Sequence, residues 1–449
     1  MSTLPLLSHQ TEFSSRWRLA LGLILIIFLT SSIARRVASQ TTIPSPVIVG
    51  APGGSTPSAT APKKIAAIVT TYHHNSHADV IVSRLLQTDT LDFKGRKYPL
   101  ELASLYTDQI HEKDISRTLA AERKFPIYDN VADALTLGTG KLAVEGVLLI
   151  AEHGTYPLSP TGNIQYPKRR LFEQIVKVFE DSGRVVPVFM DKHIADNWTD
   201  AKWIYDTAKR LKIPLMAGSS LPVLWRYPAV DVARDAHLEQ IVAVSYHTLT
   251  AYGFHALEMV QTLAERRRGG ETGIKWVQTL EGDAVWEAGE KGVYDPKLLE
   301  AAMGRLRDLR RGKRTTREAA QNPSLMIIQY SDGLRASILT LNGAANEWSV
   351  AWRAKGGKTD ATLFWTQEAR PFMHFTYLLD GFEKMVLTGA PTWPAERTLM
   401  TSGALDALLT SKTYNGGRIE TPHLNFSYRS DWNWKQPPDP PPGRPIPGQ

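Results

Sequence analysis

The sequence predicts an α/β protein with two folded domains, an N-terminal doubly wound parallel sheet and a C-terminal α+β domain with a mostly antiparallel sheet. Its 449 residues exceed the size of one average domain. In the first half, short and wholly apolar runs alternate with helical patterns, which is typical of a parallel sheet covered on both faces. In the second half, apolar runs follow one another with only turn residues between them, which is typical of antiparallel strands.

The first half supplies the strands and helices of the parallel sheet. Its apolar runs have the length and composition of buried strands and span 65–69, 100–106, 146–150 and 185–190. The helical patterns between them span 77–87, 115–123, 131–137 and 168–182. Asp129 and Asn130 are suitable N-caps for the third of these helices. Residues 89–98 are interpreted as an insertion before the second strand.

The second half predicts a sheet between pairs of helices. Helical stretches cover 253–266 and 296–311, and helix returns over 375–387 and 398–411. The strands between them span 325–330, 335–341, 348–354 and 361–366. Ser331-Asp332-Gly333 and Asn342-Gly343 supply turn residues. Apolar and polar residues alternate in 348–352, which favours a strand with one face packed.

The two ends of the chain differ in composition from its body. Arg16 and Arg18 precede an apolar run over 19–29, and small residues follow at 37–39, so residues 1–39 are interpreted as a signal peptide or a signal anchor. We therefore expect an exported (periplasmic or extracytoplasmic) or membrane-anchored protein. Residues 40–63 are predicted to form a flexible Pro/Ser/Thr linker, and residues 435–449 a disordered or polyproline tail. The folded domains are assigned to 64–217 and 218–434.

Composition excludes several classes of site. The chain has no cysteine, which excludes disulfides, thiolate-bound zinc and a cysteine nucleophile. The formal net charge is +7, but the excess lies in short patches such as 266–268 and 305–314 without a recognition module. A solvated basic helix face is the expected reading of these patches, and no nucleic-acid partner is predicted.

The order of segments resembles the glucose-fructose oxidoreductase, inositol dehydrogenase and rhizopine-catabolism (Gfo/Idh/MocA) family across nearly all of 64–430. The strand and turn at 125–131 (FPIYDNV), the strand at 146–150 (GVLLI) and the segment 213–220 (IPLMAGSS) match in order. The hairpin at 330–336 and the helix start at 394–402 extend the match. The resemblance implies a Rossmann-like first domain, NAD or NADP as cofactor, a sugar or polyol as substrate and a homo-oligomer built on the open sheet.

The same resemblance carries two catalytic candidates. The family's Glu-Lys-Pro turn falls on Asp191-Lys192-His193, so Lys192 matches the lysine that polarises the substrate hydroxyl. The family's Asp-x-Gly-x-His pattern falls on 251–255, so His255 is the candidate general base. The acid of that pattern is replaced by Ala251.

The loop after the first strand departs from a nucleotide-binding loop. A dinucleotide site normally needs glycines there, so that the backbone can approach the diphosphate. Residues 70–77 read TTYHHNSH and contain none, although the following helix N-terminus can still bind an anion. Asp108, at the end of the second strand, is either the ribose-binding acid or a loop cap. The candidate cofactor-binding residues are Thr71, Tyr72, His73, His74, Asn75, Asp108, Glu152 and His153.

The histidines near these strand ends leave an alternative open. The carboxyl ends of parallel strands share one crevice, so His73, His74, His77, His153 and His193 are expected near Glu152 and Asp191. Such ligands suit a divalent metal, or the imidazoles hydrogen-bond loops or line a sugar cleft. The aromatic residues that fit sugar stacking as well as core packing are Tyr72, Tyr156, Trp198, Trp225 and Tyr227.

Three functions follow from these observations. The first is an NAD(P)-dependent oxidoreductase acting on a sugar or polyol hydroxyl. The second is a member of the same fold without redox chemistry, acting as a metal-assisted glycoside lyase or hydrolase. The third is a non-catalytic carbohydrate-binding protein that keeps only the cleft.

Overall fold

The computed structural model describes residues 61–443. The segment 1–39 that was interpreted as a signal, nearly all of the predicted linker and the last six residues lie outside this range. Within 61–443, no helix combines the length and apolarity needed to cross a membrane.

The first sheet has six parallel strands in the order β3-β2-β1-β4-β5-β6. The strands are β1 (Lys63–Val69), β2 (Leu100–Thr107), β3 (Ile127–Tyr128), β4 (Gly146–Ile150), β5 (Val188–Asp191) and β6 (Leu215–Gly218). The helices that connect them are α1 (His77–Leu86), α2 (Ser116–Arg123), α3 (Val131–Thr136), α4 (Lys168–Ser182) and α5 (Trp198–Leu211). The chain order reverses between β1 and β4, and this switch point is where the strand ends open a crevice. The predicted Rossmann-like sheet is confirmed.

The second sheet has eight strands in the order β14-β9-β10-β11-β8-β12-β13-β7, and every pair is antiparallel except β11 with β8. The strands are β7 (Trp225–Tyr227), β8 (Leu238–Ser245), β9 (Ile274–Glu281), β10 (Ser324–Tyr330), β11 (Arg335–Thr340), β12 (Trp348–Ala354), β13 (Thr359–Trp365) and β14 (Ile419–Glu420). The helices are α6 (Phe254–Ala264), α7 (Asp283–Glu290), α8 (Pro296–Met303), α9 (Thr316–Ala319), α10 (His374–Thr388) and α11 (Ala395–Thr413). The predicted α+β domain is confirmed.

Helices cover both faces of the second sheet. One face packs against α6 and α11, where Met259, Leu263 and Leu408 join Ile328 and Ile338 of the sheet in one buried cluster. The other face packs against α7 and α8, whose apolar side chains bury Val242, Leu325 and Leu363. The sheet is therefore the middle layer of three.

Helix α10 returns to the first sheet. Its Phe382 and Leu378 pack with Ile65 and Leu148 in one buried cluster. Gly146 begins β4 at this contact, and a Cβ there would come within 2.9 Å of side-chain atoms of Ile65 and Val386. The predicted boundary at 217/218 falls before the last residue of β6, and the core of the first sheet includes a helix from the second half of the chain.

Two predicted segments are wrong in detail. The helix predicted over 296–311 ends at Met303, because Gly304 follows and the Glu347 carboxylate accepts hydrogen bonds from the backbone N–H groups of Arg307 and Asp308. The basic patch at 305–314 is therefore not a helix face.

The described part of the tail, residues 435–443, is exposed or half-buried and lies against the body of the protein. Its backbone carbonyls accept hydrogen bonds from side chains of the body. The Trp225 indole N–H donates to Pro438 at 2.7 Å, and the Gln367 amide donates to Pro441 at 2.6 Å. Proline-rich chain lacks N–H donors but keeps its carbonyls, so this arrangement uses the hydrogen-bonding groups that the tail possesses.

Candidate functional site

A cavity of about 430 Å³ lies between the carboxyl ends of the parallel strands and the second sheet. Its size is that of pockets that hold small molecules. From the first sheet it is lined by Asn75 and His77 after β1, Glu152 and His153 after β4, and Lys192 and His193 after β5. From the second half it is lined by residues that include Tyr252, His255, Trp348, Glu368 and His374.

A buried carboxylate with two lysines forms the floor of the cavity. The Lys168 ammonium lies 2.9 Å from Glu152 Oε1, and the Lys192 ammonium lies 3.2 Å from Glu152 Oε2. Burial alone would raise the pKa of Glu152, but the charges of the two lysines outweigh it and hold that pKa well below its ordinary value. Burial opposes the charge of Lys192, and the Glu152 carboxylate outweighs it and raises the pKa of the lysine. Lys192 is therefore a charged hydrogen-bond donor and not a base at neutral pH.

The backbone directs Lys192 toward the cavity. Lys192 has φ 60°, in the left-handed region that non-glycine residues rarely adopt. Its N–H donates to the carbonyl of Gly218 at 3.1 Å, which ties the end of β5 to the end of β6. Gly218 has φ 134°, and a Cβ there would come within 2.7 Å of Glu258 Oε2. A strained residue held by its neighbours at a strand end is the usual setting of a functional side chain.

His255 is held by a hydroxyl instead of the family's acid. Its Nδ1 lies 2.6 Å from Ser219 Oγ, which also accepts a hydrogen bond from the N–H of Leu221. Burial, and then the charge of Lys192, lower the pKa of His255 well below its ordinary value. The imidazole is therefore neutral at neutral pH and leaves Nε2 able to accept a proton. Ala251 lies in the π-helical turn 249–253 that precedes α6.

A second histidine is oriented by a buried carboxylate. His77 Nδ1 lies 2.5 Å from Asp191 Oδ2, and the Asp191 side chain is 2% exposed. The ring of His77 also meets the rings of His153 and Phe375 edge to face. The sequence placed His77 near Asp191 through the shared crevice but gave no reason to pair them, because the two residues are 114 positions apart.

The aromatic wall of the cavity differs from the prediction. The ring of Tyr252 stacks on Trp348 with centroids 5.2 Å apart, and His247 stacks on Tyr252 at 4.6 Å. The predicted stacking residues do not line this cavity, because they fill cores or hold loops: Tyr72, Tyr156, Trp198, Trp225 and Tyr227. Alternation in 348–352 indicated a packed face for Trp348 but not that this face borders a cavity.

The loop after β1 is packed against the segment after β2. Tyr72 is buried, with its hydroxyl 2.7 Å from Ser83, and its carbonyl accepts a hydrogen bond from the N–H of Ile115. The rings of His73 and His111 are in tilted contact, with centroids 4.3 Å apart. The first turn of α1 receives local partners, because Ser76 accepts from the N–H of Asp79, and the Asp79 carboxylate accepts from the N–H of Asn75.

The other predicted cofactor residues divide into two groups. Asn75, Glu152 and His153 line the cavity, whereas Thr71, Tyr72, His73, His74 and Asp108 do not. The carboxylate of Asp108 accepts hydrogen bonds from Tyr106, Tyr156 and the guanidinium of Arg170. The Asp108 carboxylate thereby links the segments after β2 and β4 to α4.

The crevice offers unpaired polar atoms to a ligand. His153 Nε2 and both ring nitrogens of His193 are buried without a hydrogen-bond partner at the ends of β4 and β5, and both residues line the cavity. Buried polar atoms normally have partners, so a bound polar molecule is expected to supply them. These atoms fit the nicotinamide end of a dinucleotide. A diphosphate would meet the side chains of Asn75 and His77 instead of a glycine backbone.

The divalent-metal alternative is not supported. Within residues 61–443, no group of three or more His, Asp or Glu side chains is arranged to hold a metal ion. The histidines contact one another through ring faces and edges, as His73 and His77 do with His153. His77 and Asp191 bond to each other.

Comparison with known proteins supports the fold. No protein-family model and no curated protein sequence matches the chain. A solved structure of GenD2 from gentamicin A biosynthesis, in complex with NAD, superposes with a TM-score of 0.52 and 13% identity, over 82% of this chain and 99% of that one. A probable dehydrogenase from Thermotoga maritima and a putative myo-inositol dehydrogenase from Sinorhizobium meliloti 1021 each give 0.48 and 13%, over 80% and 99%. The likeness to GenD2 confirms the two-domain fold that the family resemblance implied.

Proposed function

We propose that this chain is a Gfo/Idh/MocA-type oxidoreductase that uses NAD or NADP to oxidise or reduce a sugar or polyol at one hydroxyl-bearing carbon. The observation that carries the proposal is the pairing of a charged lysine with a neutral histidine on one cavity. Lys192 keeps its proton because of Glu152, and His255 lacks one because of burial and the charge of Lys192. GenD2, which shares the fold, was crystallised with NAD.

The cavity suits a ligand rich in hydroxyl groups. Neutral imidazoles donate one hydrogen bond and accept another, which matches the two-way hydrogen bonding of a hydroxyl. His193 and His374 have nitrogens without protein partners, and both residues line the cavity. Burial lowers their pKa values, to about 3 for His374, so both are neutral at pH 7. Tyr252 and Trp348 add apolar surface to the lining of the cavity.

The residues divide the proton chemistry between them. In the oxidation direction, Lys192 donates a hydrogen bond to the substrate oxygen and stabilises negative charge on it, while Glu152, itself held by Lys168, holds the Lys192 ammonium in place. His255 Nε2 accepts the hydroxyl proton, and Ser219 Oγ holds the ring through Nδ1. A bound nicotinamide ring supplies the hydride acceptor. Asn75, Glu152, His153 and Lys192 line the part of the cavity nearest the parallel strands, where the ring would be held.

The first test is the bound nucleotide. The full-length protein is purified without added ligand and denatured, and the released nicotinamide nucleotide is measured. The same preparation is then incubated with NAD or NADP and a panel of sugars and polyols while reduced nicotinamide is followed by absorbance. Nucleotide release, or reduction that depends on a polyol, would support the proposal.

The second test is the lysine. We expect Lys192→Met to lower kcat by about 100-fold or more, because the donor to the substrate oxygen is lost. Lys177→Met, at an exposed position on α4, is the matched control and should leave turnover unchanged. Turnover that survives Lys192→Met would overturn the assigned role.

The glycine-free loop favours one second candidate. Side chains of Asn75 and His77 stand where a diphosphate normally meets backbone, so a carbohydrate-binding protein that keeps only the cleft is the alternative. Sugar binding, with neither released nucleotide nor reduction of added NAD or NADP, would support the carbohydrate-binding alternative and contradict the redox proposal.

We also propose that residues 1–39 export the protein or anchor it to a membrane. The support is in the sequence, where Arg16 and Arg18 precede an apolar run over 19–29. Cell fractionation of the full-length chain, with N-terminal sequencing of the product, tests this. Recovery of the uncleaved chain in the cytosolic fraction would contradict both export and membrane anchoring.

A further inference from the structure

A free carboxylate stands on the wall of the cavity. Glu368 follows β13, in the segment that leads to α10, and its side chain is exposed. Within residues 61–443, its carboxylate forms no salt bridge and accepts no hydrogen bond. The other lining carboxylate, Glu152, is neutralised by Lys168 and Lys192. Of the two acidic residues that line the cavity, Glu368 is therefore the one whose carboxylate has no ion-pair or hydrogen-bond partner among the described residues.

The free carboxylate borders the aromatic wall. Tyr252 stacks on Trp348, and Tyr246 contacts both rings with centroids 5.0 and 5.1 Å away. Burial, and then the charge of Glu368, raise the pKa values of Tyr246 and Tyr252. The charge of Lys192 acts on Tyr252 in the opposite direction. Tyr252 is thus within electrostatic range of both Lys192 and Glu368.

The position of Glu368 is fixed by its neighbour. Gln367 Oε1 accepts a hydrogen bond from the N–H of Met373 at 3.1 Å, and its Nε2 donates to Pro441 of the tail at 2.6 Å. These two bonds tie the chain on either side of Glu368 to α10 and to the tail. The carboxylate is therefore carried by anchored backbone, although its own side chain is exposed.

We propose that the substrate is a sugar or polyol that carries an ammonium group, and that Glu368 selects it. An ammonium group is attracted by a carboxylate, and no described side chain neutralises the charge of Glu368. A ligand with its reacting hydroxyl at Lys192 and His255 would extend across the aromatic stack and place its amine at Glu368. This inference rests on the proposed function only in taking the ligand to be a sugar or polyol.

Binding of matched sugars to the full-length protein tests the inference without turnover. D-Glucosamine, N-acetyl-D-glucosamine and D-glucose are compared by ligand-observed NMR titration below the pKa of the amine. The three differ in charge and in the size of one substituent. We expect glucosamine to bind about two- to five-fold more tightly than either neutral sugar, the range of an exposed ion pair.

Two variants distinguish selection of the ammonium group by Glu368 from a general effect of losing one negative charge. Glu368→Gln should remove the preference for glucosamine and leave the affinity for glucose unchanged. Glu239→Gln makes the same charge change at the far end of β8 and should keep the preference. Equal affinities in the wild type, a preference that survives Glu368→Gln, or a loss for all three sugars would each overturn the inference. Because no cofactor or turnover is involved, failure of the redox proposal would leave this result intact, and the reverse also holds.

Discussion

The ionisation of the buried Glu258 carboxylate can be tested directly, and this residue lies behind the loop that holds His255. It lies on α6 with no exposed surface, and its Oε1 accepts a hydrogen bond from Thr401 at 2.7 Å. Its Oε2 lies 3.4 Å from the N–H of Ser219, the residue that holds His255. Burial raises the pKa of Glu258 from 4.5 to about 7, against the opposing charge of Arg397. We consider the isosteric change Glu258→Gln, which removes the ionisation and keeps the shape.

The raised pKa sets the direction and size of the effect. The folded state holds the proton more tightly than the unfolded state, so this group makes the free energy of unfolding fall as the pH rises from about 4.5 to about 7. The gap between those two pKa values corresponds to about 3 kcal/mol, fully present above pH 7. Glu258→Gln should therefore be more stable than the wild type at pH 8, by up to about 3 kcal/mol. The difference should shrink toward zero as the pH approaches about 4.5.

Urea unfolding at pH 5 and pH 8 measures this directly. Titration of all other groups is common to both proteins, so it cancels in the difference between variant and wild type. Glu112→Gln, at an exposed position, is the matched control and should shift neither midpoint. A Glu258→Gln protein that is less stable than the wild type at pH 8 would show that the buried carboxylate is ionised and satisfied there, and would refute the reasoning.

Two further predictions concern the partners of the catalytic candidates. Lys168→Met should lower the free energy of unfolding by about 3–5 kcal/mol, because Glu152 loses a buried partner and the carbonyls of Asp191 and His193 lose their donor. Urea unfolding beside the exposed control Lys202→Met checks this, and a loss below about 1 kcal/mol would mean that Lys192 alone satisfies Glu152. Ser219→Ala should lower kcat on the accepted polyol with KM little changed, because His255 loses the bond that orients it. If kcat is unchanged and only the melting temperature falls, Ser219 has a structural role and does not position His255 for catalysis.

Much of the fold was predictable because most of its strands are short apolar runs that differ in composition from the chain around them. Strand β4 and helix α4 have the predicted bounds, since a glycine begins the strand and Gly183 in the left-handed conformation ends the helix. Strands β8 and β9 were not singled out. In β9, which reads IKWVQTLE, Lys275, Gln278 and Thr279 interrupt the apolar residues, a pattern also found in exposed chain. Their assignment depends on partners that are distant in the sequence.

The candidate site was predictable only in part. Lys192 and His255 do line one cavity, and the resemblance alone had related them. The hydroxyl of Ser219 and the pairing of His77 with Asp191 depend on contacts between loops that follow different strands, and no local pattern signals them. The sequence left the aromatic residues open between core and cavity, because the local pattern does not distinguish a ring that fills a core, as Trp225 does, from one that lines a cavity, as Tyr252 does.

Helices α7 and α8 place a limit on how this chain meets copies of itself. In the family that the sequence resembles, the open face of such a sheet commonly makes subunit contacts. Here that layer is filled by Leu298, Leu299 and Met303 of the same polypeptide. Because these helices belong to the same polypeptide as the sheet, their packing on it does not depend on protein concentration and does not weaken on dilution. The strands that α8 covers are therefore dry at any protein concentration, and a partner subunit cannot reach them without displacing this helix.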